Sequence, residues 1–235
     1  MIDVDLPGGR VVFSTREGGV SEGPYESLNL GILTDDDQER VAENRARLAS
    51  AAGVSPDQVA MGWQVHGTDL LEWDGPPSGG GYASPGAELR QVDGHATNAR
   101  DVALLVLVAD CLPVALVSPA RVAMLHCGWR GLAGGIVERA LAGFDEIPAA
   151  AIGPGIGPCH YEVGPEVLSA FADLDGVASG RMLDLKAVAA AKLRAGGVSH
   201  VHDVDRCTYC EPDALFSHRR DDGVTGRQGG MVWRT

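Results

Sequence analysis

The chain alternates between short, almost wholly apolar runs and longer stretches in which apolar residues recur every three or four positions. Three of the runs are rich in β-branched residues and have strand length: 10–15, 102–109 and 121–126. Shorter runs at 114–117, 149–152 and 198–204 predict further strands. The helical period marks four elements. Residues 35–52 open on an acidic cluster, carry Val41, Leu48 and Ala52 along one side, and meet Gly53 as a stop. Leu132, Ile136, Ala140 and Phe144 step by four, as do Ala133, Val137 and Leu141, giving one broad apolar face. Pro165 suits the first position of a helix carrying Val167, Leu168 and Phe171. Asp184 is a good N-cap for a helix that Gly196-Gly197 would end. This alternation predicts an α/β (α+β) fold, and by itself points to a doubly wound sheet. No linker composition or internal repeat interrupts the chain, so one domain over 1–235 is expected. Residues 74–90, with Pro76-Pro77 and Gly79-Gly80-Gly81, predict a long loop that is either a lid or a tolerated insertion.

Composition narrows the partners. With 19 Lys+Arg against 32 Asp+Glu in 235 residues, the net charge is −13. Binding to a nucleic-acid polymer is driven by cationic side chains displacing counterions, so this balance argues against one, though not against a small phosphorylated ligand held by local arginines. The longest apolar run is far short of a membrane span, and the acidic opening Met1-Ile2-Asp3-Val4-Asp5 has no export signature; a cytoplasmic location is expected. Five cysteines make an odd number without a secretory context, which favours reduced thiols with chemical or metal roles over a disulfide framework.

The chemistry concentrates between Val102 and Gly135. Cys111 follows one predicted strand and His126 ends the next, the end of a strand where α/β folds place ligands. Gly128 and Gly131 permit close backbone approach, and the following helix N-terminus offers free N–H groups to an anion. Upstream, His66 ends the strand-like segment 59–65 and precedes Gly67. Two imidazoles and one thiolate, with a fourth position open, form the donor set of a catalytic zinc; a buried cysteine with two hydrogen-bonded histidines is the alternative. Residues 153–158 lack dinucleotide-binding spacing and predict a rigid turn in a pocket wall. Cys207 and Cys210 have the C-x-x-C spacing of a redox or metal pair; without a second such pair a zinc ribbon is excluded, and plain structural cysteines are the favoured alternative. Arg16, Arg219, Arg220 and Arg227 stand in glycine- or serine-punctuated turns, as anion clamps or as ordinary surface residues.

At these residues the chain resembles the YfiH family, also called the laccase-domain or peptidoglycan-editing-factor family, which includes zinc-dependent purine nucleoside phosphorylases. The matching motifs run in order: Ser14-Thr15-Arg16-Glu17-Gly18-Gly19, Ser27-Leu28-Asn29-Leu30-Gly31, Gln64-Val65-His66-Gly67, Val92-Asp93-Gly94, Ala109-Asp110-Cys111-Leu112-Pro113 and His126-Cys127-Gly128-Trp129-Arg130-Gly131. Gly157-Pro158-Cys159-His160-Tyr161-Glu162, Cys207-Thr208 and Phe216-Ser217-His218-Arg219-Arg220 follow, then Thr225-Gly226-Arg227. The resemblance implies a single α/β/β/α sandwich in place of the doubly wound sheet. It implies zinc, rather than copper, on His66, Cys111 and His126, and phosphorolysis of adenosine, inosine and methylthioadenosine with purine nucleoside and phosphate as ligands. In that reading Arg16 and Arg130 hold phosphate, while Asn29 and Asp93 orient the sugar or a ligand. The metal acts as Lewis acid or lowers the pKa of bound water to about 7, which would account for the adenosine deamination the resemblance also implies. His95 and Cys127 depart from the family pattern and stand beside the expected pocket, as an extra donor or stray ligand.

Three rivals remain on the sequence. Cys111 could be the nucleophile of a cysteine hydrolase acting on a peptidoglycan precursor, with His66 or His126 as base. Multicopper oxidation needs on the order of ten histidines and repeated His-x-His pairs; the chain has 7 His and one such pair, His200-Val201-His202. A regulatory binding module working through its acidic surface would show no turnover of any nucleoside.

Overall fold

A computed structural model describes residues 1–78, 81–82 and 89–235. The chain opens with a hairpin of β1 (Ile2–Leu6) and β2 (Gly9–Phe13), then forms α1 (Gln38–Ala52) and the short strands β3 (Val59–Ala60), β4 (Leu70–Trp73) and β5 (Gly94–Thr97). Three long strands follow, β6 (Ala103–Val108), β7 (Leu112–Val117) and β8 (Val122–Cys127), then α2 (Trp129–Gly134), α3 (Ile136–Leu141) and β9 (Ala149–Ile152). After α4 (Pro165–Ser169) come β10 (Ala178–Ser179), β11 (Met182–Leu183), α5 (Leu185–Ala195), β12 (Val201–Asp203) and β13 (Gln228–Arg234).

These strands build two sheets in place of a doubly wound one. The first has the order β1-β2-β13-β6-β3 and the second β12-β9-β7-β8-β5-β4, both antiparallel except for the outer pairs β3/β6, β12/β9 and β4/β5. They stack face to face with a helix layer outside each, an α/β/β/α arrangement. The alternation of side chains along a strand explains why its runs read as continuously apolar. Leu104 and Val106 of β6 face the inter-sheet core with Ala115, Val117, Val122 and Met124. Ala103 and Leu105 turn the other way, onto Leu48, Ala49 and Ala52 of α1. Val114, Leu116, Ala123 and Leu125 face outward too, packing on Leu132, Ile136, Val137, Val188 and Leu193 of α2, α3 and α5.

The helix termini follow their sequence signals with small shifts. Helix α1 starts at Gln38 rather than at 35; Asp37 caps it, accepting from the amides of Glu39 and Arg40, and Gly53 ends it in the left-handed region at φ 73°. Asp184 caps α5 by accepting from the Ala187 amide. The continuous helix expected from Leu132 to Phe144 is instead two one-and-a-half-turn pieces, because Gly135 adopts φ 90°. The largest miss is β13. Gln228-Gly229-Gly230 reads as a turn but begins a strand paired with both β2 and β6. Its glycines let the sheets approach: a Cβ on Gly230 would lie 2.5 Å from Cβ of Pro113 in the facing sheet.

Of the 74–90 loop, residues 79–80 and 83–88, with Gly79 and Gly80, lie outside the described residues, so the lid and insertion readings stay open. Tyr82 is buried against α1, where its hydroxyl donates to Arg45 O at 2.6 Å and the Arg45 guanidinium donates to Tyr82 O and Leu30 O. Among the described residues no helix is long and apolar enough to cross a membrane.

Replacing Gly230 with alanine should therefore force strand β13 and Pro113 apart and cost about 1–3 kcal/mol of stability. Denaturant unfolding measures this; an unchanged midpoint would show that the sheets tolerate the added carbon.

Candidate metal centre

The chain crosses from one sheet to the other between β6 and β7, and Cys111 sits in that crossover. The crossover is tight: Asp110, the residue before the cysteine, has φ 93°. Its carboxylate is held on both oxygens, by the Thr208 hydroxyl at 2.5 Å and the Arg219 amide at 2.7 Å, while its carbonyl accepts from Ile156 N at 2.9 Å. Non-glycine residues hold such a conformation when their surroundings over-determine it, and these three bonds do so.

His126 belongs to β8, on the same face as Val122 and Met124, so it points between the sheets at their open end. The next residue, Cys127, faces the helix layer and is fully buried there. Strand parity thus removes it as a stray ligand. His95 faces the inter-sheet side through its pairing with Met124, and accepts from Trp73 Nε1 at 3.2 Å. Burial pushes it down to about 4, so it is a neutral imidazole.

His66 lies beyond β3, in a loop rather than at the end of a strand, at φ 60°. Two neighbours fix that loop. The Gln64 side-chain amide donates to Leu107 O at 2.7 Å and accepts from Leu107 N at 2.8 Å, clamping the segment to β6. The fully buried Asp93 carboxylate accepts from the amides of Val65, His66 and Gly67 at 3.1, 2.9 and 2.7 Å. The same carboxylate lies 2.7 Å from His126 Nδ1. Asp93 therefore orients both histidines and leaves His126 Nε2 for the cleft.

The donor atoms of His66, Cys111 and His126 lie within 4.8 Å of one another. That is the scale set by one ion about 2.0–2.3 Å from each. Gly128 leaves the space open: a Cβ there would sit 3.0 Å from Cys111 Sγ and 3.1 Å from His66 Cδ2. Three soft or borderline donors, a supporting carboxylate and, among the described residues, no fourth ligand in the cluster fit a metal with an open position. Electrostatics prepares the same site. Burial would push the Cys111 thiol up, but His126 and His66 bring it down to about 6. Burial likewise opposes charge on His126, yet Cys111 and Asp93 raise it to about 9. Without metal the pair is thiolate and imidazolium at neutral pH.

The three donors line a cleft of about 410 Å³, within the range that takes a small organic ligand. Ile32, Leu33, Met61 and Trp63 are among its apolar lining residues, and Arg130, Arg219 and Arg227 are its arginines. Arg130 is exposed and stacks on Trp129 at 4.5 Å, while Arg219 lies over Tyr161 at 5.5 Å. Arg16 is elsewhere: its guanidinium donates to Glu26 O and Pro212 O and covers Phe216. Asn29 is also outside the cleft, but it holds the wall. Its side chain accepts from the amides of Gly31 and Arg227 at 2.9 and 2.8 Å and donates to Thr34 and Asp36. Tyr161 and His218, which also line the cleft, were not singled out in sequence; only their motif neighbours signal them. Ile156 of the glycine-proline turn lines the cleft as expected of a pocket wall. The helix start after Gly128 is only six residues long, too short for a strong dipole.

Residues 10–235 match the family model described as multi-copper polyphenol oxidoreductase laccase. The chain belongs to that family. It is 40% identical to purine nucleoside phosphorylase YfiH of Escherichia coli K12 over 94% of this chain and 91% of that protein. It is 37% identical to the Corynebacterium glutamicum purine nucleoside phosphorylase Cgl2154/cg2365, over 95% and 94%. The crystal structure of YlmD from Geobacillus stearothermophilus superposes with a TM-score of 0.89 at 35% identity, over 97% of this chain and 92% of that one. Neisseria meningitidis NMB0706 gives 0.85 at 34%, over 99% and 98%. These likenesses establish the YfiH-type fold and the layered sandwich.

Metal binding should displace the proton that His126 holds in the free protein. Between about pH 7 and pH 8, above the Cys111 value of about 6 and below the His126 value of about 9, about one proton per ion should be released, falling towards none above pH 9. Zinc titration calorimetry in buffers of different ionisation enthalpy measures it; a release independent of pH across 7–10 would refute the imidazolium–thiolate pair. Asp93→Asn should weaken zinc binding about 10–100-fold in chelator competition.

Proposed function

We propose that this protein is a zinc-dependent purine nucleoside phosphorylase whose metal is held by His66, Cys111 and His126. The observation that carries the reading is the convergence of those donors in a cleft lined by both apolar side chains and arginines. The names of its relatives supply the reaction class.

Phosphorolysis joins phosphate to the anomeric carbon of the ribose as the purine leaves, through an oxocarbenium-like state. The cleft must then stack a flat base, hold an anion beside the sugar and donate a hydrogen bond to the departing base. Trp63, Met61, Ile32 and Leu33 offer the stacking surface. Arg130 is the cleft arginine with no intramolecular hydrogen bond among the described residues, so its guanidinium is available to phosphate. Burial and the neighbouring Cys111 push Tyr161 up to about 12, so it stays protonated and can donate. Asn29 acts at one remove by fixing Gly31 and Arg227, and Asp93 by fixing both histidines. Arg16, committed to the carbonyls of Glu26 and Pro212 outside the cleft lining, is assigned a structural role and not phosphate binding. A zinc ion in this site supplies Lewis acidity, and the same property is the basis for proposing adenosine deamination as a side activity.

A second reading has its own observation. Cys111, His126 and Asp93 are ordered as nucleophile, base and orienting carboxylate, which suits a cysteine hydrolase acting on a peptidoglycan precursor. Such a triad does not need His66. Copper oxidation has less support: of the histidines, His95 is buried between the sheets, His200 and His202 are exposed on and before β12, and among the described residues only His66 and His126 bring a donor atom within 4.8 Å of Cys111 Sγ in one cluster.

Incubating zinc-loaded protein with adenosine or inosine should release free base and ribose 1-phosphate, and with methylthioadenosine adenine and 5-methylthioribose 1-phosphate, only when phosphate is present. Chelation, and separately His66→Ala, should reduce this to background, with zinc restoring the chelated wild type alone. Full activity in metal-free protein or in His66→Ala would transfer the assignment to the triad, and base release indifferent to phosphate would make the enzyme a hydrolase.

A further inference from the structure

A second donor cluster lies on the far side of the Asp110 crossover. Cys159 and His160 come from the turn after residues 153–158, and Cys207 and Cys210 from the loop after β12. Cys159 Sγ is 3.7 Å from Cys207 Sγ and 3.5 Å from Cys210 Sγ, and Cys210 Sγ is 3.4 Å from His160 Nδ1. All four donor atoms lie within 4.8 Å of one another. A tetrahedral zinc with Zn–S of about 2.3 Å and Zn–N of about 2.0–2.1 Å separates sulfur from sulfur by about 3.8 Å and sulfur from nitrogen by about 3.5 Å. A disulfide would need two sulfurs about 2.05 Å apart and would leave the third thiol and the imidazole without a role.

The surroundings suit a metal as well as the distances do. The Gly157 amide donates to Cys207 Sγ at 3.2 Å, the kind of outer bond that steadies a ligating thiolate. Gly157 itself is required there, since a Cβ would stand 3.3 Å from the sulfurs of both Cys159 and Cys207. The His160 ring stacks on Tyr209 at 3.9 Å and an interplanar angle of 13°, which fixes its Nδ1 towards the thiols. Cys159 and Cys210 are exposed, where free thiols are open to oxidation.

We propose that Cys159, His160, Cys207 and Cys210 form a second, structural zinc site with all four positions filled by protein. Unlike the cleft site, it leaves no position for a reactant. Its place in the fold gives it a purpose. Gly155 N donates to Arg206 O and Thr208 N to Gly155 O, so the two ligand-bearing segments already run side by side. The metal locks them, and with them Thr208, whose hydroxyl holds Asp110, and Ile156 and Tyr161, which line the cleft. The site thus braces the crossover that presents Cys111. This proposal rests on its own donor set and stands whether the cleft site is a phosphorylase or a hydrolase.

The test is metal counting on the full chain, produced with zinc and purified reduced without chelator. Wild type should hold two zinc ions per chain by plasma mass spectrometry. His66→Ala/Cys111→Ser, which leaves the second cluster intact, should hold one, and its zinc X-ray absorption should fit three sulfurs and one nitrogen. Cys159→Ser/Cys210→Ser should also hold one, with a nitrogen-rich shell and a lower Tm. A folded His66→Ala/Cys111→Ser protein that takes up no zinc overturns the proposal, even if the Cys159/Cys210 variant fails to fold. A disulfide joining Cys159 to Cys207 or Cys210 in the zinc-loaded, reduced preparation overturns it too.

Discussion

The buried carboxylate of Asp93 is the constraint on which the cleft depends. It reaches three consecutive amides of the His66 loop and the imidazole of His126, parts of the chain that no strand pairing joins directly. Taking a carboxylate wholly out of water is costly, and here it is offset by four hydrogen bonds that together hold its pKa below the ordinary aspartate value against the effect of burial. Removing the carboxylate would leave those amides without partners and the His66 backbone without a reason to stay at positive φ.

Around that carboxylate the architecture does the positioning. Two sheets that share an inter-sheet core must be joined by a chain segment that leaves one and enters the other, and the open end where this happens is a natural cleft. Cys111 sits in the joining turn, His126 on the inward face of a strand beside it, and His66 in a loop clamped to β6 by Gln64. None of the three could be moved by one residue: in β8 a shift by one would turn the imidazole into the helix layer that Cys127 occupies.

The two donor clusters divide along lines that coordination chemistry makes intelligible. The cleft cluster has three protein donors, partial burial and a cavity in front of it. The outer cluster has four donors and segments that need joining. Asp110 lies between them, tied by its side chain to Thr208 and by its chain neighbour to the cleft. The rigidity of one region is therefore inherited by the other.

Much of this was legible in the residues. The apolar runs located the long strands, the caps Gly53 and Asp184 marked helix ends, and the donor types of His66, Cys111 and His126 singled them out before any geometry was known. Those signals are local: periodicity, capping and ligand chemistry depend on a residue and its near neighbours. What tertiary structure alone decided was non-local. Antiparallel strands covered on both faces look like the strands of a doubly wound sheet, so only the pairing separated the two folds. Gly229 and Gly230 looked like a turn because the facing Pro113 that makes them necessary is distant in sequence. Cys207-Thr208-Tyr209-Cys210 lacked a second C-x-x-C, and its missing partners, Cys159 and His160, arrive through space. Arg16 and Asn29 stand in motifs as prominent as that of His66, yet Asn29 bonds the cleft wall at Gly31 and Arg227, and Arg16 bonds carbonyls of Glu26 and Pro212 away from it. Composition and period determine which elements form; which side chains meet is settled when distant elements pack, because contact energy depends on three-dimensional distance and a sequence records only order.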